Sequence, residues 1–151
     1  MPRLDAARLG AWRELSTGLA EVSRRIHDDL IEQWDIPLGW FDVLAALQRS
    51  GGRARPSEVA AELRVPASSL SRRLDRLEEE GWIARHRSVT GEDQRLVDVE
   101  LTRRGRNLWR EMNVTYRRAV QTHFAGRLAD HEIALLTEVA SRLGAQDDPA
   151  T

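Results

Sequence analysis

Apolar residues recur three or four positions apart along most of the chain, which is the spacing of amphipathic helices. The longest stripe covers residues 4–34 and consists of Trp12, Leu15, Leu19, Val22, Ile26 and Leu30. A second helical pattern covers residues 38–49, and Pro37 separates the two because proline disfavours helix in the residue before it. A helix as long as the first, with so wide a stripe, is expected to pack against more than one element.

Two further helical patterns follow at residues 102–127 and 130–144. Thr102 and Asp130 are the expected N-caps of these helices, because their side-chain oxygens can accept a backbone N–H of the first turn. The apolar stripes of these segments and of the first helix have no globular core of their own to cover. We therefore expect the two ends of the chain to pack against a second copy and form a homodimer.

The middle of the chain begins with two short helical patterns, over residues 57–63 and 68–80. The apolar face of the second consists of Leu70, Leu74 and Leu77. Pro66 stands where a capping residue is expected, so Ser68 or Ser69 is predicted to cap this helix, or the helix to begin one residue later. Two short helices joined by a tight connection predict a helix-turn-helix.

A strand-like alternation follows the second short helix. In residues 95–101, apolar and acidic side chains fall on opposite faces: Val97, Val99 and Leu101 against Asp98 and Glu100. Such alternation is typical of a half-buried strand. Residues 83–89 form the incoming arm of a hairpin with Gly91 near its tip, and Arg85 and Arg87 make that arm basic. The pattern predicts a basic β-wing.

The central third also carries a more specific motif. Its residues are Leu70-Ser71-Arg72, Leu74-Asp75-Arg76-Leu77-Glu78, Gly81-Trp82-Ile83, Asp93-Gln94-Arg95, Val99, Leu101-Thr102 and Gly105. In this order and at this spacing the motif resembles that of the MarR family of transcription regulators. The resemblance implies one mainly α domain, 1–151, with a small β-wing. Residues 37–101 would form a winged helix-turn-helix lobe, and residues 4–34 and 102–144 would form N- and C-terminal dimerisation helices.

The same resemblance implies binding of double-stranded DNA through the second of the two short helices, residues 68–80. Its hydroxyl and guanidinium groups are the candidates: Ser68, Ser69, Ser71, Arg72, Arg73 and Arg76. Arginine can bind guanine O6 and N7 with two hydrogen bonds, and both residue types also bind phosphates. The alternative is a solvated face whose arginines pair with acids of the same helix, Arg76 with Glu80 and Arg72 with Asp75 or Glu79.

The wing supplies four further candidates, Arg85, Arg87, Asp93 and Arg95. By resemblance to the family, Asp93 braces the ribbon and an arginine near the tip, Arg95, enters the minor groove, where narrow A·T tracts attract guanidinium groups. Arg85 and Arg87 lie on the opposite arm. They are expected to contact phosphates or to brace Asp93.

Relatives in this family bind small, often aromatic acids in a crevice between the dimerisation helices and the DNA-binding lobe, which implies a small-molecule effector. The residues that would line the crevice are Trp12, Leu15, Leu19, His27, Trp34, Trp40, Phe41, Met112 and Tyr116. Tryptophan rings suit a flat ligand, and His27 or Arg24 is the candidate partner of its carboxylate. The alternative, commoner residue by residue, is packing within the core and the dimer.

Composition excludes several classes of mechanism. The chain has no cysteine, which excludes disulfides, thiolate nucleophiles and zinc–cysteine sites. Its four histidines include no pair three or four positions apart, and no phosphate-binding glycine loop is present, so we expect no metal, no cofactor and no enzymatic activity. No apolar run approaches 18 residues, and the first residues do not form a signal peptide. We therefore expect no membrane segment and a cytoplasmic location.

The net charge of −1 provides no overall attraction to DNA, but the charges are unevenly placed. All 23 basic residues are arginines, and residues 53–106 hold 12 of them against 10 acidic residues. Local positive faces can neutralise phosphates whatever the total charge. The resulting hypothesis is a homodimeric repressor that binds a palindromic operator and is released by a small, aromatic ligand. The alternatives are a winged-helix module for protein–protein contact and a DNA-binding protein without an effector.

Overall fold

The fold is that of a computed structural model, which describes residues 3–87 and 97–145. Within these residues the elements follow in chain order: α1 (Ala6–Trp34), α2 (Leu38–Arg49), β1 (Arg53–Ala54), α3 (Pro56–Leu63), α4 (Ala67–Glu79), β2 (Ile83–Arg87), β3 (Val97–Leu101), α5 (Arg103–His123), a 3₁₀ turn (Ala125–Arg127) and α6 (Asp130–Gly144). The chain is mainly helical with a small antiparallel sheet, as predicted. None of the described helices is long and apolar enough to cross a membrane.

The chain divides into two compact units. Residues 26–116, the wing unit, contain α2, α3, α4 and the sheet, with the end of α1 and most of α5. Residues 1–25 and 117–151, the terminal unit, contain the start of α1, the end of α5, the 3₁₀ turn and α6. α1 and α5 therefore each contribute to both units.

The core of the wing unit is built from one face of each short helix and from the inner face of the sheet. α4 contributes Leu70, Leu74 and Leu77, each at most 2% exposed. Full burial of one such side chain contributes about 1.5–3 kcal/mol. Their common burial therefore fixes which face of α4 points outward. α2 is buried on most of its surface, through Phe41, Val43, Leu44, Ala45, Ala46 and Leu47.

The sheet has the order β1-β3-β2, with both pairings antiparallel. β3 is therefore central, and its Val99 and Leu101 are buried, as the alternation predicts. β1 was not predicted, because two residues carry no periodicity. It forms because Gly52, at φ 97°, turns the chain so that its carbonyl accepts the Leu101 N–H at 2.8 Å. Residues 88–96, assigned to the hairpin tip and parts of both arms, lie outside the described residues.

α4 begins at Ala67, and no side chain caps it. The prediction that Ser68 or Ser69 acts as the cap, or that the helix begins later, is wrong. Pro66 is extended (φ −60°, ψ 145°), and its carbonyl accepts the Leu70 N–H at 3.1 Å, which is the first helical hydrogen bond. The backbone thus enters the helix without a side-chain acceptor, and both serines lie inside the first turn.

Thr102 caps α5, as predicted. Its Oγ1 accepts the Gly105 N–H at 3.0 Å and donates to the Gly81 carbonyl at 2.7 Å, while its own N–H donates to the Trp82 carbonyl at 3.1 Å. Gly105 is buried, and a Cβ at this position would overlap the Trp82 carbonyl. Only a glycine therefore lets the start of α5 approach the chain segment that leads into the wing.

The ends of the last two helices differ from the prediction. α5 ends at His123 rather than near residue 127, because Phe124 (φ −127°, ψ −74°) leaves the helical region and a 3₁₀ turn follows. Asp130 is the first residue of α6 and not its cap. The N-cap is Ala129, whose carbonyl accepts the Glu132 N–H at 2.9 Å and the Ile133 N–H at 3.1 Å, while its own N–H donates to the Glu132 carboxylate at 2.8 Å.

The terminal unit exposes large apolar side chains: Leu4, Trp12, Leu15, Leu19, Leu135 and Leu143. Trp12 is 68% exposed and Leu143 is 73% exposed. The unit also contains an apolar cavity of about 500 Å³, whose lining includes Leu15, Leu19, Val22, Ile133, Leu136 and Val139. Exposed apolar surface of this kind is typical of an interface.

Candidate nucleic-acid interface

α4 presents a polar face opposite its buried leucines. The exposed residues of this face are Ser68, Ser71, Arg72 and Arg76, and the partly buried ones are Ser69 and Arg73. Hydroxyl and guanidinium groups near the start of a helix can reach base edges and phosphates when that helix lies in a groove of DNA. Four of the six residues predicted on this helix are therefore accessible to a partner.

The first turn of α4 adds backbone donors to this face. The first N–H groups of a helix have no acceptor within it, and here no side chain takes that place. A helix start also carries a partial positive charge of about half an elementary charge. The N–H groups of Ala67, Ser68 and Ser69 therefore form a surface on which a phosphate can bind.

Arg72 and Arg76 differ in their partners. Arg76 Nη1 lies 3.3 Å from Glu79 Oε2, and both side chains are about two-thirds exposed, so the pair contributes little to stability. Within residues 3–87 and 97–145, Arg72 makes no hydrogen bond or ion pair. The alternative pairs, Arg76 with Glu80 and Arg72 with Asp75, do not form there. Arg72 is thus the more available of the two guanidinium groups.

Arg73 turns inward to α2. Its Nη1 donates to the Gly39 carbonyl at 3.3 Å, and a Cβ at residue 39 would lie 3.1 Å from its guanidinium carbon. Asp42, one turn further along α2, is half-buried, and its carboxyl interacts electrostatically with Arg73 and Arg49. Arg73, predicted as a DNA contact, thus holds α4 against α2, which makes it less available than Arg72.

Burial raises the pKa of the Asp42 carboxyl above its ordinary value of 3.8, and the charges of Arg73 and Arg49 only partly offset this. The folded protein therefore binds this proton more tightly than the unfolded chain does. The resulting stability is complete below the ordinary pKa and is lost as pH rises through the raised pKa. We expect Asp42→Asn to be more stable than the wild type at neutral pH and to lack this fall. Urea unfolding of both proteins from acidic to neutral pH measures it.

Glu21 provides a control of opposite sign. Hydrogen bonds from Arg24 and Arg25 lower the pKa of its carboxyl from 4.5 to about 2. Its contribution to stability is present above the ordinary pKa and is lost as pH falls towards the lowered one. Glu21→Gln should therefore lower stability slightly at neutral pH. It should also reduce the loss of stability that the wild type shows as the pH is lowered. If Asp42→Asn changed the pH profile in the same direction, burial of Asp42 would not explain its pKa.

The wing directs one arginine towards α4. Opposite residues of an antiparallel pair share a face, so Arg85 lies on the same face as its partner Val99, which is buried. The guanidinium group contacts two acids of α4: its Nη2 lies 2.8 Å from Asp75 Oδ1 and its Nη1 lies 4.0 Å from Glu78 Oε1. Its side chain is 29% exposed. This arginine therefore joins the wing to α4.

The other three wing candidates differ in whether the structure describes them. Arg87 is exposed at the end of β2. Asp93 and Arg95 lie outside the described residues. The minor-groove role of Arg95, and a brace between Asp93 and either Arg85 or Arg87, therefore stay predictions.

The outer face of the sheet pairs its charges internally. His86 Nε2 lies 2.9 Å from Glu100 Oε2, and Arg53 contacts Asp98 at 3.1 Å and Glu100 at 3.8 Å. Arg53 belongs to β1, so these pairs span all three strands. Acids that the alternation placed outward on β3 thus hold the neighbouring strands.

The residues predicted to bind an effector divide between the two units. Trp12, Leu15 and Leu19 belong to the terminal unit, where the two leucines line the cavity. The other six belong to the wing unit, where Phe41 is 1% exposed and Met112 is fully buried. In this conformation the latter two are core residues, so ligand contact with them would require their neighbours to move. The effector site stays a prediction.

Two residues predicted to bind an effector, Trp34 and His27, make hydrogen bonds within the wing unit. Trp34 Nε1 donates to Thr115 Oγ1 at 3.0 Å, and that hydroxyl donates to Gln33 Oε1 at 2.8 Å. His27 Nδ1 accepts the N–H of Leu38, the first residue of α2, at 3.2 Å. His27 thus supplies the acceptor that the N-cap of α2, a proline, cannot.

Three aromatic residues predicted to bind an effector, Trp40, Phe41 and Tyr116, contact other aromatic rings. Phe41 and Tyr116 lie with ring centroids 4.6 Å apart, and Trp40 meets Trp82 edge-on at 6.4 Å. Burial and the negative charge of Asp42 raise the pKa of Tyr116, so its hydroxyl stays protonated in neutral solution. Among the residues that the structure describes, no cluster of histidine and carboxylate side chains could hold a metal ion.

Sequence reasoning missed Asp75 and Glu78 as partners of Arg85. The signal was present, because the two acids lie three positions apart on α4 and Arg85 shares the period-two face of the buried Ile83. Both arginines of the incoming arm were instead assigned to phosphates or to Asp93. The strand register determines that Arg85 faces α4, and register depends on tertiary packing.

Comparison with known proteins gives a consistent result. A model of the MarR family matches residues 34–95, which run from the end of α1 into the wing. The HTH-type transcriptional regulator PecS of Dickeya dadantii is 33% identical over 147 residues, covering 94% of this chain and 87% of PecS. The HTH-type transcriptional repressor MdtR of Bacillus subtilis is 25% identical over 134 residues, covering 86% of this chain and 83% of MdtR.

Solved structures agree with the sequence relatives. The MarR-family regulator Sco3205 of Streptomyces coelicolor, in complex with DNA, has a TM-score of 0.88 to this chain at 25% identity. The match covers 99% of this chain and 95% of that one. It therefore includes both the winged helix-turn-helix and the terminal helices.

Proposed function

The chain belongs to the MarR family of DNA-binding transcription regulators, and we propose that it acts as a homodimeric repressor on a palindromic operator. In this proposal α4 enters the major groove and the wing contacts the adjacent minor groove. The observation that carries it is the outward face of α4, where Arg72, exposed serines and the uncapped first turn lie together. That face combines a donor for a base edge with donors for phosphates.

Each group on this face has a proposed role. Arg72 reads a guanine, because it is exposed and makes no pair within the described residues. Ser68 and the first N–H groups of α4 bind a phosphate, which positions the helix. Arg76 binds a second phosphate, since its exposed pair with Glu79 is weak enough to exchange. Arg73 has its inward role at α2.

A fluorescence-anisotropy titration tests this function. The labelled probe is the duplex that flanks the protein's own gene, and a shuffled duplex of the same length is the control. Affinity should depend on sequence and should fall steeply with salt, because phosphate binding releases counterions. Equal affinity for both duplexes would contradict operator recognition. Absence of binding to either at low salt would favour the protein–protein module instead.

Dimerisation through the terminal unit is supported by its exposed apolar side chains, which include Trp12, Leu19 and Leu143. Exposed fractions of roughly half or more in so many large residues are hard to reconcile with a free monomer. A two-fold axis would repeat the α4 surface on the partner, so that two helices reach successive major-groove faces about one DNA turn apart. A palindromic operator follows from that symmetry.

Leu19→Glu should convert the dimer into a monomer. Leu19 is 49% exposed in the subunit, so the subunit tolerates a charge there, whereas a dimer interface would have to bury it. Light scattering after size exclusion measures the mass. Thr17→Glu is the control, because it lies about 160° around α1 from Leu19 and should remain dimeric. A wild-type protein that is monomeric while it binds the full operator would contradict the proposed dimer.

Repression and effector release complete the proposal. MdtR, one relative, is a repressor by name. We propose that a small aromatic acid binds to the protein and weakens operator binding. Such a ligand acts only through different affinities for the DNA-bound and released forms. Quenching of tryptophan fluorescence finds the ligand, and an unchanged operator affinity at saturating ligand would contradict the switch.

A further inference from the structure

We infer that Arg85 is not a DNA contact but the positioning residue that sets the distance between the wing and helix α4. The inference rests on the proposed DNA-binding function and adds a specific role to it. The residues involved, Arg85, Asp75 and Glu78, are called the α4–wing brace below.

The strand register determines which way Arg85 points. β2 pairs with β3 so that Ile83 lies opposite Leu101 and Arg85 opposite Val99. Ile83, Leu101 and Val99 are all at most 2% exposed. The Arg85 side chain therefore leaves the sheet on its core-facing side, which is the side towards α4.

The guanidinium group is divided between two acids of α4. One terminal nitrogen, Nη2, lies 2.8 Å from Asp75 Oδ1, and the other, Nη1, lies 4.0 Å from Glu78 Oε1. Asp75 and Glu78 are three positions apart, so they project from neighbouring places on one side of the helix. A fork-shaped cation between two such acids restrains the direction of the strand as well as its distance.

Glu78 and Asp75 are anions beside the surface proposed to meet DNA. From charge alone, they repel phosphates and reduce affinity. Their presence is explained if they hold Arg85, because a wing fixed relative to α4 reaches its groove without a loss of freedom on binding. Removal of these acids should therefore weaken DNA binding if they act as a brace, and strengthen it if only their charge matters.

The deciding experiment is the operator titration with Asp75→Asn/Glu78→Gln and with Arg85→Ala. The double variant removes two negative charges, yet the brace predicts about threefold to tenfold weaker binding. Arg85→Ala should weaken binding by a similar factor, leave the slope of affinity against salt unchanged, and add little in the double-variant background. Unchanged or tighter binding by the double variant, or a slope reduced by about one for Arg85→Ala, would overturn the inference.

Two controls separate a brace from general damage. Glu80→Gln removes one negative charge from the exposed C-cap of the same helix, and should bind as tightly as the wild type or slightly more tightly. Exchange of the charges, Arg85→Asp with Asp75→Arg, should recover binding that either single change loses. If the charge-swapped double variant did not recover binding, and the losses of affinity from the two single changes simply added, a direct pair between Arg85 and Asp75 would be contradicted.

Amide hydrogen exchange tests the brace without DNA. Loss of the brace should speed exchange in β2 and β3 while amides of α1 keep wild-type rates. If the wild type bound no DNA, the proposed function would fail, and exchange would still decide the brace. If the wild type bound its operator but β2 exchanged at an unchanged rate in Arg85→Ala, the brace alone would be overturned.

Discussion

Replacing Arg72 with alanine is expected to lower operator affinity roughly tenfold to a hundredfold. Arg72 is exposed on the outward face of α4 and makes no pair within the described residues, so its whole guanidinium group is available to a base. One bidentate arginine–guanine contact contributes about 1–3 kcal/mol of discrimination. Anisotropy titration measures the loss. It should be largest on the cognate duplex and small on the shuffled one, because the lost contact is to a base.

Arg110→Ala is the matched control for this prediction. Arg110 is also an exposed arginine on a helix of the wing unit, but it lies on α5 rather than α4. Its removal changes the net charge equally and should leave cognate affinity nearly unaltered. An equal loss on both duplexes for Arg72→Ala would mean a phosphate contact and would remove the assignment of base recognition to this residue.

Replacing Gly105 with alanine should lower the free energy of unfolding by about 3 kcal/mol, at the upper end of what overpacking costs. The added Cβ would overlap the Trp82 carbonyl, which is backbone and cannot rotate away. Either α5 or the segment entering the wing must shift, and the hydrogen bonds that Thr102 makes with both would lengthen. Thermal unfolding should show a midpoint lowered by roughly 6–12 °C.

Gly10→Ala is the control for this change. A Cβ on Gly10 would meet no atom within 4 Å in the subunit, and the residue lies within α1. Alanine favours helix over glycine by about 0.5–1 kcal/mol, so this variant should be slightly more stable at equal protein concentration. If both glycine variants lost stability equally, the contact with Trp82 would not be the cause.

Much of the fold could be predicted because it depends on local chemistry. α2 covers residues 38–49 as predicted, since Pro37 and the glycines that follow residue 50 limit it at both ends. Thr102 was correctly assigned as a cap because its hydroxyl is the usual acceptor. The predicted start of α4 and the predicted cap of α6 were wrong because the backbone carbonyls of Pro66 and Ala129 accept the first helical N–H groups, where a side-chain oxygen was expected.

The site was predicted less completely, because the direction of a side chain depends on tertiary packing. The sequence correctly placed Arg72 and Arg73 on the same helix, but a helix face does not reveal that Arg73 reaches the Gly39 carbonyl. The strand alternation likewise grouped Arg85 with Arg87 without showing that α4 lies above the former. The two-residue strand β1 is too short to carry any pattern of its own.

The order of the sheet has a consequence for how the chain folds. Its central strand, β3, is the last in sequence, and the pairing of Arg53 with Glu100 joins segments far apart along the chain. Closing so long a loop carries an entropic cost before any contact rewards it, and such non-local contacts slow folding. Until residues 97–101 arrive, β1 and β2 are two unpaired edges. Translation products that stop before β3 should therefore self-associate, whereas those that include it should fold cooperatively.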